Sequence, residues 1–411
     1  MPSLERGFTA ADALNHVDEH AFEVGPGDLV GVEAEWLVFD RANPGDSLDF
    51  EAVRTALFGF DLPDSGSISF EPGGQLEIST APVVGPVSAV DAVIGGHKNI
   101  QDRLDRSGLV LVPVGIDPLR TGSRVVDSPR YAAMEKRFDH DGPDGRVMMR
   151  STAAVQVNVD IAEDPALQWR VAHEVGPLLT AIFADSPIYE GHRTGWVSTR
   201  MRTWLSMDPR RTHPALRTGG PTADWTQYAL DAQVMLIRLD DSRYEAITET
   251  TSFRDWIDNG HAYGFPTEDD FAYHLTTLFP PVRPRGRLEI RMIDALPDDL
   301  LRVATATVCS LLGPQGVDEI SKRSWNAGSL WYEAARYSLS HPELRRIVTE
   351  SFEIALDVAE DSGVDANTRS MMVTYFSDHI SVGRCPADDR LDRFDRAGEV
   401  LPEISREPAW S

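Results

Sequence analysis

Four stretches of alternating apolar and polar residues give the first structural signal along this chain. Side chains of a β-strand point alternately to its two faces, so residues i, i+2 and i+4 share one face. The four stretches each predict a strand with one apolar face: GVEAEWLVF within 29–40, GGQLEIS within 67–80, AVQVNVD within 151–161 and RLEIRM within 287–293. A fully apolar run at 109–116 predicts a buried strand.

Helical spacing of apolar residues alternates with these strands and then takes over the chain. It predicts helices at 10–22, 86–106, 165–184 and 268–278, and almost continuous helix from 297 onward. The segments 41–65, 117–146 and 186–222 are rich in Gly, Pro and Asp, which is typical of loops. We therefore expect an α+β fold with a mainly antiparallel sheet, divided into a sheet-bearing domain at 1–296 and a helical region at 297–411 packed on it.

Composition excludes several classes of protein. The 411 residues are 42% apolar and 25% charged, as in ordinary globular proteins, and the net charge is −26. A surface this acidic repels phosphate backbones and anionic lipids, so we expect no nucleic-acid and no membrane partner. Two cysteines, Cys309 and Cys385, are too few for a disulfide scaffold and fit buried thiols. The N-terminus does not resemble a signal peptide, and the expected localisation is cytoplasmic.

The polar faces of the four alternating strands carry an unusual set of side chains. In strand order they are Glu33 and Glu35, Gln75 and Glu77, Gln156, Asn158 and Asp160, and Arg287, Glu289 and Arg291. A solvated face also alternates in this way, but glutamate is disfavoured in strands and like charges two residues apart repel. Hard cations such as Mg²⁺ bind carboxylates and substrate phosphates. The pattern is therefore compatible both with a sheet that binds metal ions and a nucleoside triphosphate and with a solvated face, and spacing alone leaves the two open.

A Glu71-Pro72-Gly73-Gly74 turn interrupts the second of these segments. Two glycines let the backbone approach a ligand closely, which predicts a nucleotide contact at Gly73 and Gly74, although a tight hairpin bend is an equal alternative. The sequence contains neither GxxxxGK[ST] nor GxGxxG. A bound ATP would therefore be held by the sheet and its metal ions.

Five segments together resemble the glutamate–cysteine ligases of the second, plant and bacterial type. They are GVEAEW, FEPGGQLEIS, STAAVQVNVD, TGWVSTRMRTWLSMDPRRT and YHLTTLFPPVRPRGRLEIRMIDALP. The resemblance covers about residues 29–300 and is best to the actinobacterial (EgtA-type) branch that starts ergothioneine synthesis. It implies a glutamine-synthetase-like fold, in which a curved antiparallel sheet forms a funnel for ATP and two or three Mg²⁺ ions, with Mn²⁺ as an alternative. It makes 1–296 the catalytic domain.

The same resemblance implies a reaction and assigns residues to it. ATP would activate the γ-carboxylate of L-glutamate as an acyl phosphate, and the amine of L-cysteine would then give γ-glutamylcysteine, ADP and phosphate. The metal carboxylates would be Glu33, Glu35, Glu77 and Glu289. The substrate-binding residues would be Arg130, Arg200 and Trp204 as a glutamate clamp, with Gln156 and Asn158 as polar ligands. Arg287 and Arg291 would face the ATP phosphates, and Glu33 and Arg291 would be the catalytic pair.

Alternative roles exist for several of these residues and for the whole protein. Arg200 could instead form a surface ion pair, and the role of Arg287 and Arg291 could be limited to neutralising neighbouring acidic side chains. His274 fits a packing role better than a catalytic one. The rival functions are a ligase that joins glutamate to a different amine, a guanidino kinase of similar fold, and a metal-binding protein without turnover. All of these have small-molecule partners.

Overall fold

The strands of the molecule form one large sheet and two small hairpins. The computed structural model describes residues 7–62, 66–240, 242–401 and 403–404. The strands are β1 Leu29–Asp40, β2 Ser67–Phe70, β3 Leu76–Ser79, β4 Val83–Val84, β5 Leu109–Val112, β6 Ala154–Val159, β7 Ile188–Tyr189, β8 His192–Arg193, β9 Leu236–Asp240, β10 Arg243–Ala246, β11 Val282–Pro284 and β12 Leu288–Asp294.

The helices follow in the same order, and they dominate the C-terminal part as expected. They are α1 Ala10–His20, α2 Phe50–Ala56, α3 Pro86–Asp105, α4 Pro129–Asp141, α5 Asp144–Ser151, α6 Pro165–Ile182, α7 Thr199–Ser206, α8 Pro209–Thr212, α9 Pro221–Asp231, α10 Phe253–Asn259, α11 Glu268–Leu275, α12 Asp298–Leu312, α13 Pro314–Ser321, α14 Trp331–Tyr337, α15 Pro342–Asp357, α16 Ala366–Tyr375 and α17 Pro386–Ala397. Within the described ranges, no helix is long and apolar enough to cross a membrane.

The large sheet has the strand order β11-β12-β6-β1-β3-β2, and β4 and β5 also pair with β1. Every pairing in it is antiparallel, which confirms the expected α+β class. The register places Glu35 opposite Glu77, Glu33 opposite Gln156, and Asn158 opposite Glu289. The polar residues of the four alternating segments therefore lie on one face of one sheet.

The opposite face of the sheet is apolar and is covered by α3, α6 and α12. Trp36 is fully buried there, and its indole stacks on the imidazole of His97 from α3 at 4.8 Å. Burial of such side chains stabilises the fold by about 1.5–3 kcal/mol each. The same core continues past residue 297, because Leu301, Phe352 and Tyr375 pack in one cluster with the sheet. The division at 296/297 marks a change of secondary structure and not a break between two cores.

The expectation of loops was wrong in three places. The segment 41–65 contains α2, the segment 117–146 contains α4 and the start of α5, and the segment 186–222 contains α7 and α8. In α5, a Cβ on Gly145 would lie 2.4 Å from the ring of Phe138 on α4. Gly145 allows α4 and α5 to pack closely. A high glycine content therefore does not distinguish a loop from a pair of closely packed helices.

Candidate functional site

A cavity of about 330 Å³ lies over the polar face of the sheet. Eight of the predicted site residues line it: Glu33, Glu35, Glu77, Arg130, Gln156, Arg200, Trp204 and Arg291. Seven further lining residues with polar side chains were not assigned a role from the sequence: Glu71, Gln75, Tyr131, Thr152, Thr276, Arg283 and Arg285. Glu289, Asn158, Arg287, Gly73 and Gly74 lie outside this lining.

One side of the cavity, formed by β1, β3 and the turn before β3, is acidic. Glu35 Oε2 accepts a hydrogen bond from the main-chain N–H of Ala154 at 2.9 Å. Burial, together with Glu71 and Glu77, raises the pKa of Glu35 well above its usual value. Burial followed by Glu289 and Glu77 raises the pKa of Glu33, although Asn158 Nδ2 donates to its Oε1 at 3.2 Å. These carboxylates lack cationic partners that would outweigh their desolvation.

Glu71 completes this acidic side. Burial, with Glu77 next in importance, raises the pKa of Glu71 to about 7, against the opposing effect of Arg130. A hard divalent cation would offset the mutual repulsion of such carboxylates, and carboxylate oxygens are the donors that it prefers. Among the described residues, no group of three or more His, Cys, Asp or Glu side chains is already gathered at coordination distance. The fit to a metal ion therefore rests on the charge and chemistry of these donors.

The other side of the cavity, formed by β11 and β12, is rich in arginine. Glu289 is fully buried, and its carboxylate accepts from Arg283 Nε at 2.5 Å and from Arg285 Nη1 at 3.2 Å. Arg291 Nη1 lies 3.4 Å away and Arg287 Nη2 lies 3.8 Å away. Burial alone would raise the pKa of Glu289, but the arginines outweigh it and hold the pKa at about 2. This predicted metal ligand is therefore already neutralised by protein cations.

Gln156 and Asn158 connect the two sides. Gln156 Oε1 accepts from Arg291 Nη1, and Gln156 Nε2 donates to Glu35 Oε1 at 3.5 Å. Asn158 Oδ1 accepts from Arg287 Nε at 3.1 Å, while its amide donates to Glu33. Both amides orient charged groups of opposite sign. Arg291 Nε is buried and has no hydrogen-bond partner among the described residues, so this cavity-lining side chain keeps a donor unused.

Arg200, Arg130 and Trp204 form the end of the cavity where the glutamate clamp was predicted. Arg200 is buried, and its guanidinium donates to the carbonyls of Arg291 at 2.8 Å and Ile293 at 3.3 Å. The surface ion pair considered as an alternative is therefore wrong. Arg130 Nε donates to Tyr273 Oη at 3.2 Å. The indole of Trp204 packs 5.8 Å from the ring of Phe279, and its Nε1 has no partner in the described part of the chain.

The two glycines predicted to contact a nucleotide have a structural explanation. Gly74 has φ +85°, which favours glycine, and its N–H donates to the carbonyl of Glu71 at 2.8 Å. A Cβ on Gly73 would lie 2.1 Å from the carbonyl oxygen of Arg150. The hairpin bend accounts for Gly74 and close packing against α5 accounts for Gly73, while the turn brings Glu71 and Gln75 into the cavity lining. Their contact with a nucleotide stays a prediction.

Some of the missed residues left a trace in the sequence. Arg283 and Arg285 continue, at a period of two, the polar series of Arg287, Glu289 and Arg291, but the prolines of PPVRPRG obscure strand β11. Glu71 gave no such signal, because it lies in a turn where alternation stops. His274 is buried and its Nε2 lies 2.9 Å from the carbonyl of Ala229, in agreement with a packing role.

Comparison of the sequence with known proteins places this chain in a family. The model of glutamate–cysteine ligase family 2 (GCS2) matches residues 29–408. The glutamate–cysteine ligase EgtA of Mycobacterium tuberculosis is 38% identical over 395 residues, covering 93% of this chain and 89% of the relative. The EgtA of Mycolicibacterium smegmatis is 37% identical over 399 residues, covering 94% and 92%. A chloroplastic glutamate–cysteine ligase of Medicago truncatula is 31% identical over 242 residues, covering 56% and 47%.

Among solved structures, the glutamate–cysteine ligase of Francisella tularensis in complex with AMP matches with a TM-score of 0.54 and 13% identity, covering 95% of this chain and 91% of that one. At this identity the likeness concerns the fold alone, and it agrees with the fold that the resemblance implied. The family match and the mycobacterial relatives both extend over most of the sequence. The chain therefore belongs to glutamate–cysteine ligase family 2, a family of ATP-dependent ligases, and to its EgtA-type branch.

Proposed function

We propose that the protein joins the γ-carboxylate of L-glutamate to the amine of L-cysteine at the expense of ATP, as a cytoplasmic enzyme of ergothioneine biosynthesis. The names of the mycobacterial relatives support the substrates. The observation that carries the proposal is the division of one cavity into an acidic side at β1 and β3 and an arginine side at β12. A ligase that brings a carboxylate to a triphosphate must offset negative charge on both, and the two sides offer metal ions and arginines for that purpose.

The acidic side would hold the metal ions. Glu33, Glu35, Glu71 and Glu77 offer carboxylate donors for two or three Mg²⁺ ions, or for Mn²⁺. When bound, these ions neutralise the ATP phosphates as charge moves during phosphoryl transfer. Glu289 has a different part in the proposal: it holds Arg283 and Arg291 beside the cavity, and it reaches an ion only by exchanging one of these contacts.

The arginines would hold the anionic parts of the substrates. Arg200 and Arg130, which line the cavity, would bind a carboxylate of glutamate, and Trp204 would pack its indole against the same ligand. Arginine suits this task because its fork matches a carboxylate bidentately. Arg291 on β12 and Arg287 just before this strand would contact the ATP phosphates, while Gln156 and Asn158 orient the charged groups.

The reaction then proceeds in two balanced steps. A γ-carboxylate oxygen of glutamate attacks the γ-phosphorus of ATP, the bond to the bridging oxygen breaks, and ADP leaves. The cysteine ammonium gives one proton to solvent, and its amine attacks the acyl carbon. Phosphate then leaves with the original carboxylate oxygen, and the proton that the nitrogen loses on amide formation passes to the departing phosphate. Glutamate labelled with ¹⁸O in its γ-carboxylate should therefore deliver one ¹⁸O atom to the phosphate product. Unlabelled phosphate would contradict the acyl-phosphate route but not the proposed ligase activity.

ADP release across a panel of acceptors tests the function itself. The proposal predicts ADP and γ-glutamylcysteine only when L-glutamate, L-cysteine and Mg²⁺ are all present. Release with glutamate and another amine, but not with cysteine, would identify a different glutamate–amine ligase. Release with a guanidino acceptor and no glutamate would identify a kinase. Metal binding without any ADP release would identify a protein without turnover and overturn the proposal.

A further inference from the structure

A buried chain of charged groups leads from the C-terminal helix α17 to the cavity. It begins at Arg390, whose Nε and Nη2 donate to the two carboxylate oxygens of Asp185, each at 2.8 Å. The main-chain N–H of Asp185 donates to Asp294 Oδ2 at 2.9 Å, and Arg200 Nη1 lies 3.7 Å from Asp294 Oδ1. None of these four side chains is more than 4% exposed. Water is therefore poorly placed to replace a contact that is lost.

Two serines tie the backbone of Arg200 to the same carboxylate. Ser186 Oγ donates to Asp294 Oδ2 at 2.7 Å and accepts from the main-chain N–H of Arg200 at 3.1 Å. Ser198 Oγ donates to Asp294 Oδ1 at 3.0 Å and caps α7 by accepting from the N–H of Met201 at 3.1 Å. Asp294 thus holds the main chain of Arg200, the start of its helix and its guanidinium.

The packing around Asp294 leaves little room for adjustment. A Cβ on Gly115 would lie 2.5 Å from Asp294 Cγ, so the loop that carries this glycine presses directly on the carboxylate. Arg390 Nη2 also lies 3.4 Å from Glu403 Oε1, so two arginines offset three carboxyl groups here. Loss of Arg390 would leave Asp185 and Asp294 with a single cation between them, and their repulsion would act on the group that holds Arg200.

We infer that Arg390 is a positioning residue for Arg200, and that the contacts through Asp185 and Asp294 let the C-terminal helical region set the affinity of the cavity for L-glutamate. The inference rests on the proposed role of Arg200 in binding the substrate carboxylate. It differs from a role in general stability, because it predicts a selective loss for one substrate. Displacement of a binding group by a fraction of an ångström is enough to weaken one contact strongly.

Steady-state kinetics of Arg390→Met test the inference. The glutamate KM should rise about tenfold, while the ATP KM and kcat stay within about threefold. Tyr375→Phe is the matched control: Tyr375 Oη donates to the carbonyl of Ile182 at 2.6 Å and is equally buried in the same helical region, but it does not belong to this chain of contacts. It should lower Tm and leave all three KM values unchanged. Arg390→Lys, which keeps the charge, should recover part of the glutamate affinity.

A double variant that combines Arg390→Met with Arg200→Lys separates the positioning role of Arg390 from the substrate role of Arg200. If Arg390 acts through Arg200, Arg390→Met should change the glutamate KM less than about twofold in the Arg200→Lys background. An unchanged tenfold effect there, or equal changes for glutamate and ATP, would overturn the positioning role while leaving the function in place. A normal glutamate KM in Arg200→Lys alone would instead refute the substrate role of Arg200. Should Arg390→Met not fold, Asp185→Asn and Arg390→Lys allow the same comparison.

Discussion

Glu289 and Glu35 point to the same face of one sheet, yet their surroundings are opposite. Glu289 lies among four arginines, and its pKa is held at about 2. Glu35 lies among Glu71 and Glu77, and burial and these neighbours raise its pKa well above the usual value. The difference shows that alternation along a strand determines on which face of the sheet a side chain lies, but not the charge of the groups that surround it. Neighbouring segments decide whether a carboxylate is a counter-ion for arginines or lies among other carboxylates.

The comparison is tested most directly by a pair of isosteric substitutions. Glu289→Gln removes the counter-ion of buried arginines and should lower the free energy of unfolding by about 3–5 kcal/mol. Glu33→Gln removes a charge that its surroundings disfavour and should leave stability within about 1 kcal/mol of the wild type, or higher. Urea denaturation at pH 8 without Mg²⁺ measures both. Equal destabilisation by the two variants would contradict the proposed difference between the arginine-rich and the acidic side of the cavity.

Activity should depend on the acidic side through Glu77. Glu77→Gln keeps the shape of the side chain but removes a carboxylate from the proposed metal site, so ADP formation at saturating Mg²⁺ should fall about 10²–10³-fold. Circular dichroism should show an intact fold. Glu353→Gln, on the exposed face of α15, is the matched control and should retain full activity. Wild-type turnover in Glu77→Gln would refute its place in the metal site.

Arg200→Lys examines the substrate end of the cavity. Lysine keeps the charge but cannot hold two carbonyls and a carboxylate at once, so the glutamate KM should rise by about 2–3 kcal/mol in equivalent free energy, or about 30- to 150-fold. The ATP KM should hardly change. Initial rates with each substrate varied in turn distinguish the two. A weaker ATP affinity with normal glutamate affinity would move Arg200 to the phosphate site.

The smallest effect concerns pH. The pKa values of Glu33, Glu35 and Glu71 are raised on folding, so the metal-free protein holds protons that the unfolded chain has released. Its free energy of unfolding should therefore fall, by about 1–2 kcal/mol, as pH rises from about 4.5 to about 7. Glu289 acts in the opposite direction and mostly below this window, because its pKa is lowered to about 2.

Mg²⁺ must displace those protons, so the rise in Tm that it causes should be larger at pH 8 than at pH 5.5. Asp185, whose pKa is raised to about 6 by burial, contributes in the same window, and the informative quantity is the difference between the wild type and Glu71→Gln. The variant should show the smaller pH dependence. An Mg²⁺ effect that is equal at both pH values would indicate that the carboxylates are already ionised without metal.

Much of the fold was predictable because alternation is a local property. Strand β1 lies at Leu29–Asp40 as predicted, and the four acid- and arginine-bearing segments do pair in one sheet. The neighbours of each carboxylate were less accessible. Arg283 comes from β11, a short strand obscured by prolines, Arg285 follows that strand, and Glu71 comes from a turn. Long-range pairing decides these contacts, and no local pattern encodes it.

The same limit applies to Arg200. Its residue type and the resemblance of its segment to the family predicted a role in binding a carboxylate, and its side chain lines the cavity. Its support comes from Asp294, 94 residues further along the chain, and from Asp185 and Ser186 in a preceding loop, and these positions carry no shared period. Sequence patterns predict which groups face a ligand more readily than they predict which groups hold them there.

The position of β1 at the centre of the sheet has a consequence for synthesis of the chain. β1 pairs with β3, β4, β5 and β6, and the last of these ends at Val159. While the ribosome makes the intervening residues, a long strand with two glutamates on one face has few partners. Those charges disfavour pairing between the exposed strands of neighbouring nascent chains, as charges on edge strands do in finished proteins. Glu33 and Glu35 would then protect the chain from aggregation before the sheet forms.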